Sequence, residues 1–269
     1  MQINEQRFYK GCKLEAVALK PLNMPTPFYH LHLAQELLAD TACPQSLHDE
    51  AGAFYLGNIA PDAQNIAGLS RESTHFFEVP LRDSTPAWDT MFNQYPSLTE
   101  TATLTPPQHA FLAGYICHLA VDQMWIANIF DPVFVDEAKW ENPRERFFIH
   151  NVLRIYLDEL DRPALATHGV GASLLKAQPD HWLPFLTDAA LAQWRDFVAE
   201  QLLEGGAAQT LEVFAKRMNR PPHDFESLLH SPTQMSERVF HFVSIESLNH
   251  FRRQAFARSR AVIAEYLSG

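Results

Sequence analysis

The stretch FLAGYICHLAVDQMW, Phe111 to Trp125, sets His118 and Asp122 four residues apart in a run that is otherwise apolar almost all the way round. On a helix this spacing stacks the two side chains on one face, which Phe111 and Gly114 share. A buried carboxylate costs several kcal/mol to desolvate, so Asp122 needs a partner. Two kinds of partner suit it: a hydrogen-bonded core histidine, or a metal ion that takes imidazole nitrogen and carboxylate oxygen together.

Other residues of the same chemical type precede this pair. In FYHLHLAQELL, His30 shares a helical face with Leu33, Ala34 and Leu37 and is expected to point inward; His32 shares its face with Gln35, Glu36 and Ala39 and is expected to face solvent. In GAFYLGNIAPDAQ an apolar helix stops at Gly57 and Asn58 and hands over to a Pro-Asp turn, where Asp62 is either a turn residue, a cap or a functional carboxylate. In STHFFEVP, Ser73 and Thr74 are placed to cap a short helix, and two phenylalanines bury His75. Further on, ENPRERFFIHNVLRIYLDEL lines up Arg146, His150 and Arg154, with Asp158 one turn beyond. That stripe is either a solvated, salt-bridged face or a set of guanidinium groups for a substrate phosphate.

The elements that carry these residues read as helices. Only 10 of the 269 residues are glycine, apolar residues recur at three and four spacing, and strict alternation is hard to find. The 18 prolines punctuate the pattern at PLNMPTP, NIAPDAQ, TPP, NPR, NRPP and SP, giving expected helices near 28–40, 47–57, 84–93, 106–129, 143–160, 184–203, 207–218 and 232–267. No linker divides the chain, and most of the candidate chemistry precedes residue 165.

Bulk properties narrow the function. With 21 basic against 32 acidic residues, net −11, broad binding to nucleic acid or to an anionic membrane is disfavoured. Neither a signal peptide in residues 1–20 nor a run of 18 uncharged apolar residues is apparent, so a cytoplasmic location without a transmembrane segment is expected. Cys12, Cys43 and Cys117 form no CxxC and suggest neither a disulfide framework nor a thiolate zinc site. Phosphate loops of the GxGxxG and GxxxxGK[ST] types and the GxSxG nucleophile elbow are missing, which leaves histidines and carboxylates as the chemical material.

The order of the pieces, YHLHLAQELL, LGNIAPD, THFFE and AGYICHLAVD, resembles the zinc-dependent phospholipase C family and the related single-strand nucleases over about residues 26–130. The resemblance implies an all-α bundle of that type, with a metal-site core at 26–165 and additional C-terminal helices at 166–269, in one domain. It implies that Asp62, His75, His118 and Asp122 surround one zinc, that Asp122 bridges to a second metal held also by His30, and that Asp62 doubles as general base. Other divalent transition metals suit the same donors. The implied activity is phosphodiester hydrolysis by a metal-activated water, on a small phosphodiester or a phospholipid.

This chain departs from the family in three places. Twenty-nine residues precede His30, so a terminal amine is not at hand as a ligand; Asn128 stands where a third-site histidine is usual; and His150 with Arg154 replaces an HxxxE. Two alternatives are a non-catalytic helical protein with a structural metal site and an HD-domain-like phosphohydrolase, for which His48-Asp49 and His223-Asp224 supply the dyads.

Overall fold

A computed structural model describes residues 25–142 and 144–268. The expectation about a signal peptide in residues 1–20, the thiol of Cys12 and the proline of the NPR boundary lie outside the described residues. Among those described, the protein is all-α, without strands. The helices are α1 Pro27–Ala39, α2 Gln45–Asp49, α3 Ala51–Gly57, α4 Gln64–Ala67, α5 Glu72–His75, α6 Ala87–Gln94, α7 Pro106–Trp125, α8 Glu145–Thr167, α9 Val170–Leu174, α10 Asp188–Glu200, α11 Thr210–Met218, α12 Pro222–Leu229, α13 Pro232–Gln234 and α14 Ile245–Ser268. Short 3-10 turns join several of them, and wider π turns continue α7 over Ile126–Val135 and α13 over Met235–Phe240.

The axis of the fold is α7. Thr105 caps it by accepting the N–H of Gln108 at 3.4 Å, and Pro106 opens it with a preset backbone angle. From Ala110 to Asp122 every residue is buried. Phe111, Tyr115 and Trp125 are among the largest fully buried side chains, and each stabilises the core by roughly 1.5–3 kcal/mol through apolar burial. Over Pro106–Val135 the helix is long and apolar enough to cross a membrane by length and composition alone, yet 83% of its most apolar window is buried inside the protein. Its apolar character is that of a core helix packed on all sides.

Glycine sets how closely α3 approaches α7. A Cβ at Gly114 would stand 2.3 Å from the carbonyl oxygen of Phe54, and one at Gly57 would stand 1.9 Å from that of Phe111. Both contacts are with backbone, so neither could be relieved by a rotamer change. Short α5 is anchored against the same helix by the Tyr115 hydroxyl, which donates to the carbonyl of Thr74 at 2.6 Å, and it stops where Phe76 turns left-handed at φ 61°.

The C-terminal helices join one continuous core with the rest: α14 lies along α7 and α1, and α10 covers the turn around Asp62. Several boundaries differ from the sequence reading. The expected helix at 47–57 is two, α2 and α3, and α8 runs past Pro163 to Thr167. The expected helix at 232–267 breaks before Ser244, whose hydroxyl accepts the N–H of Ser247 at 3.1 Å and so caps a fresh start for α14. Helices α9 and α12 were not foreseen; α12 begins with Pro222 after Asn219 has closed α11 in the left-handed region at φ 50°.

Candidate metal centre

His30 from α1, Asp62 from the 3-10 turn after α3, His75 from α5, and His118 and Asp122 from α7 converge on one buried point. Nε2 of His75, Nε2 of His118 and Oδ2 of Asp122 form a triangle with all three edges 3.4 Å. Asp62 Oδ1 lies 3.7 Å from the His75 corner. Atoms bound 2.0–2.1 Å from a tetrahedral zinc stand about 3.3–3.4 Å apart, so these residues could hold such an ion. The other oxygen of Asp122, Oδ1, lies 3.3 Å from Nε2 of His30, whose ring stacks on His118 with centroids 4.0 Å apart.

The outer nitrogens fix which way two of the rings point. Nδ1 of His118 is 2.8 Å from the carbonyl oxygen of Asn58, and Nδ1 of His75 is 3.2 Å from that of Arg71. With Nδ1–H donated to a carbonyl, each ring presents the Nε2 lone pair inward, the arrangement that orients a metal-binding histidine. The crossing of Gly57 and Gly114 is what carries the Asn58 carbonyl to His118. Nδ1 of His30 is buried without a hydrogen bond among the described residues, while its Nε2 faces Oδ1 of Asp122 at 3.3 Å. A cation shared by His30 and Asp122 would suit that contact, and so would a structural Asp–His pair.

Protonation of His30, His75 and Asp122 agrees with a donor set. Burial, assisted by the charge of His118, pulls His30 down to about 4. Burial and Arg71 hold His75 well below the usual imidazole range. Burial opposes the ionised form of Asp122, but His118 and His30 outweigh it and keep the carboxyl well below its ordinary value. Burial raises Asp62, with Asp122 adding to the effect, while His118, Arg154 and Arg71 oppose it. Burial opposes the charged form of His118, but Asp122, Asp62 and the Asn58 carbonyl outweigh it and raise this imidazole above its ordinary value. His30, His75 and Asp122 are thus held in the forms that bind a metal, while His118 has to release a proton to do so.

Asp62 is the least enclosed of the five, at 9% exposure, and it faces a cavity of about 140 Å³ bounded by α1, α8, α10 and α11. Arg154 and Arg217 line that cavity beside it. Residues 166–269, to which the sequence assigns no role, thus supply two of the walls.

The structure brings together all five residues of the expected ligand series, but only one of the three in the α8 stripe reaches the cavity. Arg146 pairs with Glu137 at 2.6 Å and lies over the Phe147 ring. His150 is a core histidine, enclosed by Trp125, Phe130 and Phe134, and accepts the Trp125 indole N–H at 3.2 Å. The wide π turns after α7 bring Phe130 and Phe134 over it, which a helical wheel of α8 cannot reveal. His32 does not face solvent: its side chain is 19% exposed and meets Asp161 at 2.5 Å, because α8 and α14 cover that side of α1. Asn128 is exposed. So are His48, Asp49 and His223, and neither HD dyad meets another ligand-type residue in a buried cluster among the described residues.

Two contributors were missed. Arg71 donates to Oδ2 of Asp122 at 3.2 Å while its guanidinium stacks 4.3 Å from the Phe77 ring. Its signal is its place four residues before His75 in SREST. The Asn58 carbonyl is a backbone group and leaves no residue-type signal.

Comparison with protein-family models, with curated proteins and with solved structures finds no match to this chain.

Proposed function

We propose that the protein is a metal-dependent phosphodiester hydrolase of the zinc-dependent phospholipase C kind. The observation that carries this reading is the 3.4 Å triangle of His75, His118 and Asp122, with both imidazoles oriented by backbone carbonyls and one side open through Asp62 to a cavity. Asp62, His75, His118 and Asp122 would hold one zinc, and Asp122 with His30 a second. Bound there, zinc supplies Lewis acidity and lowers the pKa of a water to about 7.

The chain's own residues supply the rest. Asp62 sits between the His75 corner and the cavity, and its raised carboxyl pKa suits accepting a proton closer to neutral pH than an ordinary aspartate would. Arg154, nearly fully buried, brings a cation to the same side and attracts an anionic phosphoester. Among the described residues, Asp62 is the most exposed member of the cluster, since His30, His75, His118 and Asp122 are each at most 1% exposed. A closed structural site would have no use for the Asp62 opening.

The test is hydrolysis of bis(4-nitrophenyl) phosphate by the purified protein. Turnover should stop on chelation, return with zinc, and fall by about 10²–10⁴ in Asp62→Asn. A zinc-loaded protein that leaves simple phosphodiesters intact would contradict the proposal.

A further inference from the structure

Oδ2 of Asp122 stands 3.4 Å from Nε2 of His75 and 3.4 Å from Nε2 of His118. In the neutral form that a metal requires, each ring places its Nδ1–H on a backbone carbonyl and turns an Nε2 lone pair towards the carboxylate. Lone pairs that face one another repel. A carboxylate with no other partner would swing its Oδ2 away from the two nitrogens before an ion could reach all three atoms, so the ligand geometry depends on a donor that is not itself a ligand.

Arg71 is such a donor, and it belongs to the short segment that carries His75. Its Nη2 donates to Oδ2 at 3.2 Å, and a guanidinium keeps its charge and its protons at any working pH. The hold on Oδ2 therefore does not depend on the protons of the histidines. The arm is fixed twice more: Nη1 donates to the Phe77 carbonyl at 3.4 Å, and the guanidinium lies over the Phe77 ring, 4.3 Å from its centroid. The left-handed turn at Phe76, where α5 ends, brings Phe77 beside that side chain. Meanwhile the Arg71 carbonyl accepts the His75 N–H at 2.9 Å and faces His75 Nδ1 at 3.2 Å. One stretch, residues 71–77, thus supplies a ligand, the carbonyl that orients it, and the cation that orients a second ligand on α7.

We propose that Arg71 is a positioning residue of the metal centre: it acts through Asp122, fastening Oδ2 between His75 and His118 and leaving Oδ1 to His30. This rests on the proposed function only for zinc as the ion that the three atoms would share. A carboxylate oxygen has two lone pairs, so a guanidinium and a metal can share Oδ2, as hydrogen-bonded metal carboxylates do. The positive charge of Arg71 opposes an incoming cation, but its side chain is 15% exposed and so is screened more than the ligands, which are buried. Orientation outweighs repulsion.

The test is a zinc titration against a competing chelator, run on the full chain and its variants. Arg71→Met keeps a stem over Phe77 and the backbone carbonyl at His75 but removes the donor to Oδ2, and zinc should bind about 10–100-fold more weakly. Arg71→Lys returns a charged donor without the fork and should recover part of that loss. Arg71→Met combined with Asp122→Asn should match Asp122→Asn alone to within about twofold, a coupling that a general loss of stability would not produce. Additive losses, an unchanged affinity, or tighter zinc binding in Arg71→Met would overturn the proposal. The crystal structure of metal-free Arg71→Met at alkaline pH, where neutral His118 is favoured, gives a reading that needs no zinc. Oδ2 of Asp122 should leave its place between His75 and His118; an Asp122 that stays there overturns the proposal as well. A parent that takes up no zinc, or that takes it up and leaves phosphodiesters intact, contradicts the proposed function, and the crystal structure still decides the role of Arg71.

Discussion

Adding a single methyl group at Gly114 separates packing from ligand geometry. In Gly114→Ala the new Cβ would lie 2.3 Å from the Phe54 carbonyl oxygen and within 2.9 Å of the Asn58 nitrogen. Ordinary contact needs roughly 1 Å more, so α3 must retreat from α7 by about that distance. The Asn58 carbonyl retreats with it, stretching its 2.8 Å contact with His118 Nδ1 towards about 3.8 Å, where no hydrogen bond remains. Overpacking costs about 1–3 kcal/mol and the lost hydrogen bond about 1 more, together about 2–4 kcal/mol. For a chain of this size that lowers the melting temperature by roughly 4–16 °C. Release of His118 from its orienting carbonyl should also weaken metal binding by about 10–100-fold. Calorimetry and zinc titration measure both effects. Gly171→Ala serves as the control: its Cβ would crowd Ala199 and Leu202 at 3.0 Å, neither of them a ligand residue or a partner of one, so stability should drop with zinc affinity unchanged. A Gly114→Ala protein that melts normally and binds zinc normally would refute the link between the glycine crossing and the ligand set.

Asp122→Asn keeps the shape but removes the charge that faces His30, His75, His118 and Arg71; metal stoichiometry should fall, and the metal-free protein should lose about 1.5–3 kcal/mol because the half-buried Arg71 loses a charged hydrogen-bond partner. Full metal occupancy with an unchanged melting temperature would count against it. Burial raises Asp158 from 3.8 to about 7, against the opposing hydrogen bonds of Thr210 and Thr26. The folded state therefore keeps a proton that the unfolded chain has released, so the contribution of Asp158 is fully present below about 4, drains by ~1.4 kcal/mol per pH unit, and is gone above about 7, about 4 kcal/mol in all. His30, His75 and His150, lowered by burial, give the opposite slope below about 6.5, so the slope of Asp158 should be read as the difference between the parent and Asp158→Asn in denaturant titrations from pH 4 to pH 8. His150→Phe should bind zinc as the parent does, since His150 serves the Trp125, Phe130 and Phe134 cluster; loss of metal in that variant would return His150 to the site.

What was legible in the sequence followed from residue type and helical period. A charged pair on an all-apolar helix has to be buried and has to be partnered, so His118 and Asp122 announced the centre, and the apolar face of α1 sent His30 towards it. What was not legible depended on what covers each face. His32 and His150 occupy wheel positions that look solvent-facing on their own helices, but α14, α8 and the π turns after α7 close over them. The break in the last expected helix lay in a serine whose capping role competes with a continuous helical pattern, and no periodicity count weighs that competition. The cavity walls were hidden for a similar reason: α10 and α11 fall within the helices expected at 184–203 and 207–218, and only the packing around the Asp62 turn gives them a place beside the cluster.

Elemental analysis of the purified protein after reconstitution with zinc and removal of excess metal tests the account most directly, run together with His75→Ala, His118→Ala and His150→Phe. The account predicts at least one zinc per chain in the parent and in His150→Phe, and little or none in His75→Ala and His118→Ala. A parent that takes up no divalent metal, or histidine variants that hold as much as the parent, would contradict it.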